Sequence, residues 1–338
     1  MPAVTDATRA TLHALLDASL TRSPEYGAGM SSHLPMALHA LHALGAGPAR
    51  LHAFNEVYVR RFGPGEAAAT NANPLPSGWR NWRDARGNLS AFDRLRHHFE
   101  ALLRDQGVDA TLHVLLPSLW PGASGAAFHG LIRTAHAVQA GHLGELAAAL
   151  AYWAGRWQAV PVPDARVTAA PLPVEKWAAQ LEAAALVLRL PGRSISGRIE
   201  AAVQTPAYAA LADATSVDGL VPLSDWAADL YARSGNFTVL HVVTATRAAR
   251  VLWPWTTARS AVLQGLVRDV TAAVLASNLH RAVPLEPGDP SPAWPELIAR
   301  AIASDDDHVI KLVHALVEER SVYGEASRQR AAVRALMP

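Results

Sequence analysis

No cysteine occurs among the 338 residues. That excludes disulfides, thiolate metal sites, cysteine-ligated iron–sulfur clusters and a cysteine nucleophile, and it fits a cytoplasmic protein. Lysine is almost as scarce. Of 30 basic residues only Lys176 and Lys311 are lysine; the rest are arginine. A GC-rich coding bias replaces lysine wherever either residue serves, so a surviving lysine marks a place where a guanidinium is a poor substitute. A lysine amine loses its proton on burial, whereas arginine stays charged. An excess of one charge is also missing. The formal net charge of +1 leaves no electrostatic footprint for nucleic acid or an anionic membrane.

Long apolar runs are absent too. The Ala/Leu-rich stretch 143–155 is short and bounded by Glu145 and Arg156, so no membrane span is expected. Met1 to Arg9 lacks a charged start followed by an apolar run, so no secretory signal is expected. The glycines of GAGM (27–30) and GAGP (45–48) do not form a dinucleotide-binding GxGxxG, and there is no P-loop, HExxH or GxSxG.

What is present is helical periodicity. Half the residues are hydrophobic and 17% are charged, as in a globular chain. In 8–20, Leu12, Leu15, Leu16 and Leu20 share one face. Further helices are expected at 33–45, 49–62, 90–106, 125–140, 143–157, 174–189, 195–203, 206–212, 223–233, 236–252, 256–278, 293–303 and 306–319. Strand-like alternation is confined to 111–116. The expected fold is all-α, one large multi-helix domain over 1–338, with a possible sub-domain boundary near 158–174. Residues 281–292 read as a rigid Pro-rich connector. The loop 63–88 carries Trp79 and Trp82 among arginines. Such tryptophans more often pin a loop to the core than form a lid over a substrate.

Fifteen histidines is a high count. A lone histidine on an apolar helix is usually a satisfied core or surface residue, and His13, His39, His42, His52, His97, His98, His113, His142 and His280 are read that way. Others sit in richer settings. His33 opens a helix. His129 and His136 lie seven residues apart on one helical face with Arg133 between them. His241 lies in an apolar helix. His308 and Lys311 stand at i and i+3, facing one region. The acidic run 305–307 reads most simply as a helix N-terminus. Imidazoles converging from several helices are how a helical scaffold builds a metal site, and without thiolates they suit iron, copper, nickel or zinc.

Four segments resemble the questin oxidase family. They are SSHLPMALHALHALGA (31–46), AFHGLIRTAHAV (127–138), FTVLHVVTATRAAR (237–250) and DDHVIKLVHAL (306–316), and they occur in family order. The resemblance implies an oxygenase that opens a ring of an aromatic polyketide or quinone-type substrate with O2. By motif it implies Fe(II) held by His33, His129, His241 and His308, with Lys311 as a carboxylated lysine ligand. It also implies differences in the pocket, because Arg247 stands where many relatives carry histidine and His136 where many carry tyrosine. Arg133 or Arg247 is expected to steady a phenolate, and His136 to move a proton. Three other readings remain open at this level: an NADPH-dependent Baeyer–Villiger oxidase without metal, a zinc hydrolase, and a helical protein that only binds an aromatic ligand.

Overall fold

The structure is a computed structural model, and it describes residues 6–27, 29–62, 81–163, 171–280, 292–325 and 327–337. Its described residues form fifteen α-helices. The N-terminal helices are α1 (Asp6–Ser19), α2 (Leu34–Leu44), α3 (Pro48–Phe62), α4 (Phe92–Leu119), α5 (His129–Ala140) and α6 (Leu143–Gly155). The middle of the chain gives α7 (Val174–Val187), α8 (Ile195–Ala202), α9 (Pro206–Leu211), α10 (Val221–Ser234) and α11 (Phe237–Leu252). The last four are α12 (Arg259–Leu275), α13 (Trp294–Ala303), α14 (Asp307–Tyr323) and α15 (Arg328–Ala335). The only strands among the described residues are the antiparallel pair β1 (Glu25–Tyr26) and β2 (Met30–Ser31). The all-α expectation holds, as one helical domain. The main hydrophobic cluster draws on residues from Met36 to Ala335, and a smaller second one gathers Leu12, Leu16, Leu38, Leu41, Leu51 and Phe54 between α1, α2 and α3. No helix among the described residues is long and apolar enough to cross a membrane.

Four helices organise everything that follows. Helices α2, α5, α11 and α14 pack against one another in a closed ring, α2 on α5, α5 on α11, α11 on α14 and α14 on α2. Their starts are fixed by local chemistry. The Asn236 side chain accepts from the backbone N–H groups of Thr238 and Val239, capping α11. Asp306 does the same for α14 through His308 and Val309. A proline stands in the first turn of α2, where its missing N–H costs nothing. α2 ends on Gly45, whose φ of 100° supplies the left-handed cap. α2 buries Leu34, Leu38 and Leu41, and truncating any of them to alanine is expected to cost about 2–5 kcal/mol.

Close approach elsewhere depends on missing side chains. A Cβ on Gly130 would lie 2.6 Å from Trp153, so that glycine lets α5 press onto α6. Just before α5 the chain makes an unusual turn. Ala126, Ala127 and Phe128 all have positive φ, at 48°, 55° and 67°. Left-handed backbone costs a non-glycine residue roughly 1–2 kcal/mol. Such strain tends to be held in place at functional positions.

Three expectations need correction or placement. Residues 111–116 are not a strand but the second half of α4. Thr111, Leu112, Leu115, Leu116 and Leu119 are buried at helical spacing, and six residues of alternation were too few to separate the two periods. Gly107, with a φ of 78°, breaks α4 between the two runs. α15, rich in arginine and alanine, was not anticipated. Trp82 is buried against Phe99, ring centres 5.3 Å apart, and so pins its segment to the core rather than forming a lid. Trp79 lies outside the described residues, as do 164–170 of the Pro-rich stretch and 281–291 of the connector.

Candidate metal centre

The four helices of the ring bring His33, His129, His241 and His308 together at one end. His33 precedes α2, His129 is the first residue of α5, His308 the second of α14, and His241 lies one turn into α11. Ring centroids lie 4.6 Å apart for His33–His129, 4.5 Å for His33–His308, 5.0 Å for His129–His241 and 5.6 Å for His241–His308. The imidazoles thus form a closed circuit at four converging helix N-termini. The positive ends of four helix dipoles face this space and favour anionic groups there.

The hydrogen bonds fix which nitrogen of each ring is free. His33 Nδ1–H donates to Asp307 Oδ1 at 2.5 Å, and His308 Nδ1–H donates to the same oxygen at 3.0 Å. His129 Nδ1–H donates to the carbonyl of Ala126, and His241 Nδ1–H to the carbonyl of Phe237 at 2.8 Å. The left-handed turn at Ala126 is what carries that carbonyl to His129. A neutral imidazole with its proton on Nδ1 has a bare lone pair on Nε2. His33 Nε2 and His129 Nε2 face each other at 2.6 Å, and His308 Nε2 is buried with no partner. Nδ1 tied to a carbonyl or carboxylate, with Nε2 free, is the arrangement of metal-ligating histidines.

The electrostatics agree. Burial first, then the Lys311 charge, pushes His33 down to about 3. Burial likewise lowers His129 and His241 well below their ordinary value, with neighbouring imidazoles and Lys311 adding to it. Neutral imidazoles are the ligating form. Burial would raise Asp307, but hydrogen bonds from His308 and His33 hold it far below the usual carboxylate range, so it stays ionised. Lys311 is buried, and its amine is pushed by burial from 10.5 down to about 8, against the pull of Asp307 and Asp306. A donor set of four imidazoles with a carboxylate behind two of them fits a first-row transition metal.

Residues 30–185 match the family described as questin oxidase-like, a little under half of the chain. Over that stretch the chain is similar to questin oxidase-like proteins. No curated protein matches the chain. The family points to an oxidoreductase of the oxidase or oxygenase kind. The matched segment contains His33, His129, Arg133 and His136, whereas His241, His308 and Lys311 lie beyond it; ring contacts join His241 and His308 to His129 and His33.

The circuit forms the floor of a pocket of about 440 Å³, walled by Tyr26 and Phe237, with Arg156, Arg193 and Arg198 toward its mouth. Ligand pockets run from roughly 300 to 1,000 Å³. Phe237 lies 5.0 Å from the His241 ring and 4.6 Å from the His308 ring. Arg156 pairs with Glu25 on the lip formed by β1 and β2, and Glu25 also accepts from Tyr152 at 2.8 Å.

Arg133, His136 and Arg247 do not join this circuit, and none of them lines the pocket. Arg133 is buried, and its Nε and Nη2 both donate to the Glu145 carboxylate, at 2.6 and 2.8 Å. Arg247 donates to Glu318 at 2.6 Å and to Gln139. Arg133 is thus committed to Glu145, whereas Arg247 keeps a buried Nη1 without a partner; lying outside the pocket, neither reaches a phenolate held there. His136 sits deeper, 2.9 Å from His39. Sequence reading missed Asp307, which looked like one more carboxylate of a helix cap. Asp306 is the cap, and Asp307 holds two histidines. It also passed over His39 and His314. The signal was available, since His33, His129 and His308 are each followed by another histidine six or seven residues later.

Proposed function

We propose that this protein is a non-haem iron-dependent dioxygenase that cleaves a ring C–C bond of an aromatic polyketide or quinone-type substrate. In this reading His33, His129, His241 and His308 hold Fe(II) through Nε2, and Lys311 is carboxylated and adds an oxygen ligand. The observation that carries it is the facing pair of Nε2 lone pairs on His33 and His129, at 2.6 Å, at the foot of the pocket. Two lone pairs at that distance repel unless a cation lies with them.

The lysine follows from its burial. With the amine near 8, about one molecule in ten is neutral at pH 7. The neutral amine adds carbon dioxide, releases a proton and becomes a carbamate, which turns a buried cation into an anionic ligand. Four helix N-termini and a bound cation favour that anion. Arginine has no such reaction open to it.

Bound iron would supply dioxygen activation beside the ring. The chain's own residues do the rest. Tyr26 and Phe237 give an aromatic substrate two flat apolar surfaces. Arg156 is paired with Glu25 and Glu200 lines the same pocket, so Arg193 and Arg198 leave it one positive charge in excess, a small bias toward a phenolate. A dioxygenase puts both oxygen atoms into its product and so needs no outside reductant.

The test is metal analysis of the purified protein, with oxygen uptake on hydroquinone- and anthrone-type compounds, with and without NADPH. Iron, uptake without NADPH, and loss of both iron and uptake in Lys311→Arg are expected. Full iron and activity in Lys311→Arg would overturn the modified-lysine role. Strict NADPH dependence without metal would favour the Baeyer–Villiger reading. Zinc without oxygen uptake would favour hydrolysis, and tight aromatic binding with no turnover a carrier.

A further inference from the structure

A second cluster of histidines lies further along the same four helices. His39 follows His33 by six residues on α2, His136 follows His129 by seven on α5, and His314 follows His308 by six on α14. On α11 the residue six beyond His241 is Arg247. At 1.5 Å per residue the second cluster lies about 9–10 Å deeper than the first. Its rings form a near-equilateral triangle, with centroids 5.1 Å apart for His39–His136, 5.5 Å for His39–His314 and 5.3 Å for His136–His314. One nitrogen from each lies within 4.8 Å of the others.

All three rings are buried, at 4%, 3% and 2% exposure. His314 has neither ring nitrogen hydrogen-bonded, and both are buried. An imidazole always carries at least one donor or acceptor that needs a partner. Leaving one unmet in the interior costs roughly 1–3 kcal/mol. Buried polar groups are almost always paired, so a histidine orphaned at both nitrogens points to something that belongs there.

We propose that His39, His136 and His314 form a second metal site that takes a divalent zinc-class cation. Three imidazoles leave a fourth position, and the Glu318 carboxylate stands 3.6 Å from His314 Nε2. Gln139 Nε2 donates to one Glu318 oxygen at 2.8 Å and Arg247 Nε to the other at 2.6 Å, so the carboxylate is aimed by its neighbours. Arg247 would repel a cation if it stood alone. It does not, because Arg247 and Arg250 are matched by Glu318 and Glu319, and the group is neutral as a whole. None of the three histidines lines the pocket that the first cluster floors. Closed zinc sites are structural ones. A cation here ties α2, α5 and α14 together one layer below the residues those helices offer to the pocket.

The site rests on its own residues, not on the iron reading, and the experiment keeps the two apart. Full-length protein is stripped, reloaded with zinc alone and assayed for bound metal by mass spectrometry, beside His314→Gln and His129→Ala. Wild type and His129→Ala should both keep one chelator-resistant zinc that His314→Gln lacks, whatever the first cluster holds. One equivalent in wild type that vanishes in His129→Ala would overturn the second site and leave the first intact. Equal zinc in wild type and His314→Gln would also overturn it. Because a core variant can fail to fold, anomalous diffraction at the zinc edge on wild-type crystals provides an independent reading. A peak bonded to all three imidazoles supports the proposal, and its absence at saturating zinc overturns it.

Discussion

His33 and His129 meet Nε2 to Nε2 at 2.6 Å, with each Nδ1 already spent on an oxygen of Asp307 or Ala126. Neither Nε2 has a proton to give the other. The metal-free fold is therefore strained at this point, and a cation that binds the native state relieves it. A metal at a thousand times its dissociation constant stabilises by about 4 kcal/mol. In a chain of 338 residues, removing it is expected to lower the melting temperature by roughly 6 °C. Calorimetry with and without a strong chelator measures this. In His129→Ala the chelator shift should shrink sharply, and a shift equal to wild type would show that the facing pair does not hold the metal.

Asp307 and Asp306 are adjacent but perform different work. Asp307 is buried and accepts from His33 and His308, orienting both rings. Asp306 caps α14 from the surface. Asp307→Asn keeps the oxygen and loses the charge, so metal affinity should fall by about 10- to 100-fold. Asp306→Ala should cost about 1 kcal/mol of stability and leave the affinity near wild type. Competitive metal titration and urea unfolding, run on both variants, separate the two. Equal affinity losses would remove the distinction drawn between them.

How far the sequence discloses such a site depends on the range of the information. The helices were legible because their apolar spacing is local, as in α1, where Leu12, Leu15 and Leu16 face inward. The ligand candidates were legible because residue type and motif are local too, and His308 with Lys311 sits on a single turn. What periodicity could not supply is which helices touch. That α2 packs on α14, and so sets Asp307 against His33, is a contact across 274 positions of chain. The same gap explains Arg133. Its place between His129 and His136 suggested chemistry, but the Glu145 carboxylate that claims it lies on the next helix. The strained turn at Ala126 left no trace in composition, since alanine is an ordinary residue in an extraordinary conformation there.

Arg133 and Glu145 are buried almost completely and bound by two parallel hydrogen bonds. Removing the arginine strands a carboxylate in the core, which typically costs about 3–5 kcal/mol. Arg133→Ala should therefore melt far below wild type, while the turnover number per folded molecule stays close to normal. Replacing both partners with apolar residues, as in Arg133→Met with Glu145→Leu, should recover most of the stability. Thermal melts with turnover measured on the folded fraction test this. A normal melt with a collapsed turnover would return Arg133 to a role in catalysis.

Asp269 gives a pH dependence of definite sign. It lies on α12, buried, where it accepts from the Ser124 hydroxyl and borders an apolar cavity of about 290 Å³. Burial raises its carboxyl from 3.8 to about 7, although Ser124 and Arg268 pull the other way. Between those values the folded state keeps a proton that the unfolded chain has released. The native state binds more protons there, so stability must fall as pH rises across this window. The contribution is complete below about pH 4 and lost above about pH 7, on the order of 4 kcal/mol in all. Asp269→Asn keeps an acceptor for Ser124 and cannot ionise. The buried histidines titrate with the opposite sign but are common to both proteins, so they cancel in the difference. Urea unfolding at pH 5, 6, 7 and 8 should show the variant gaining on wild type up to about pH 7 and then holding level. A difference that stays flat from pH 5 to 8 would mean that Asp269 is ionised throughout, with solvent or a cation reaching the carboxylate in its cavity.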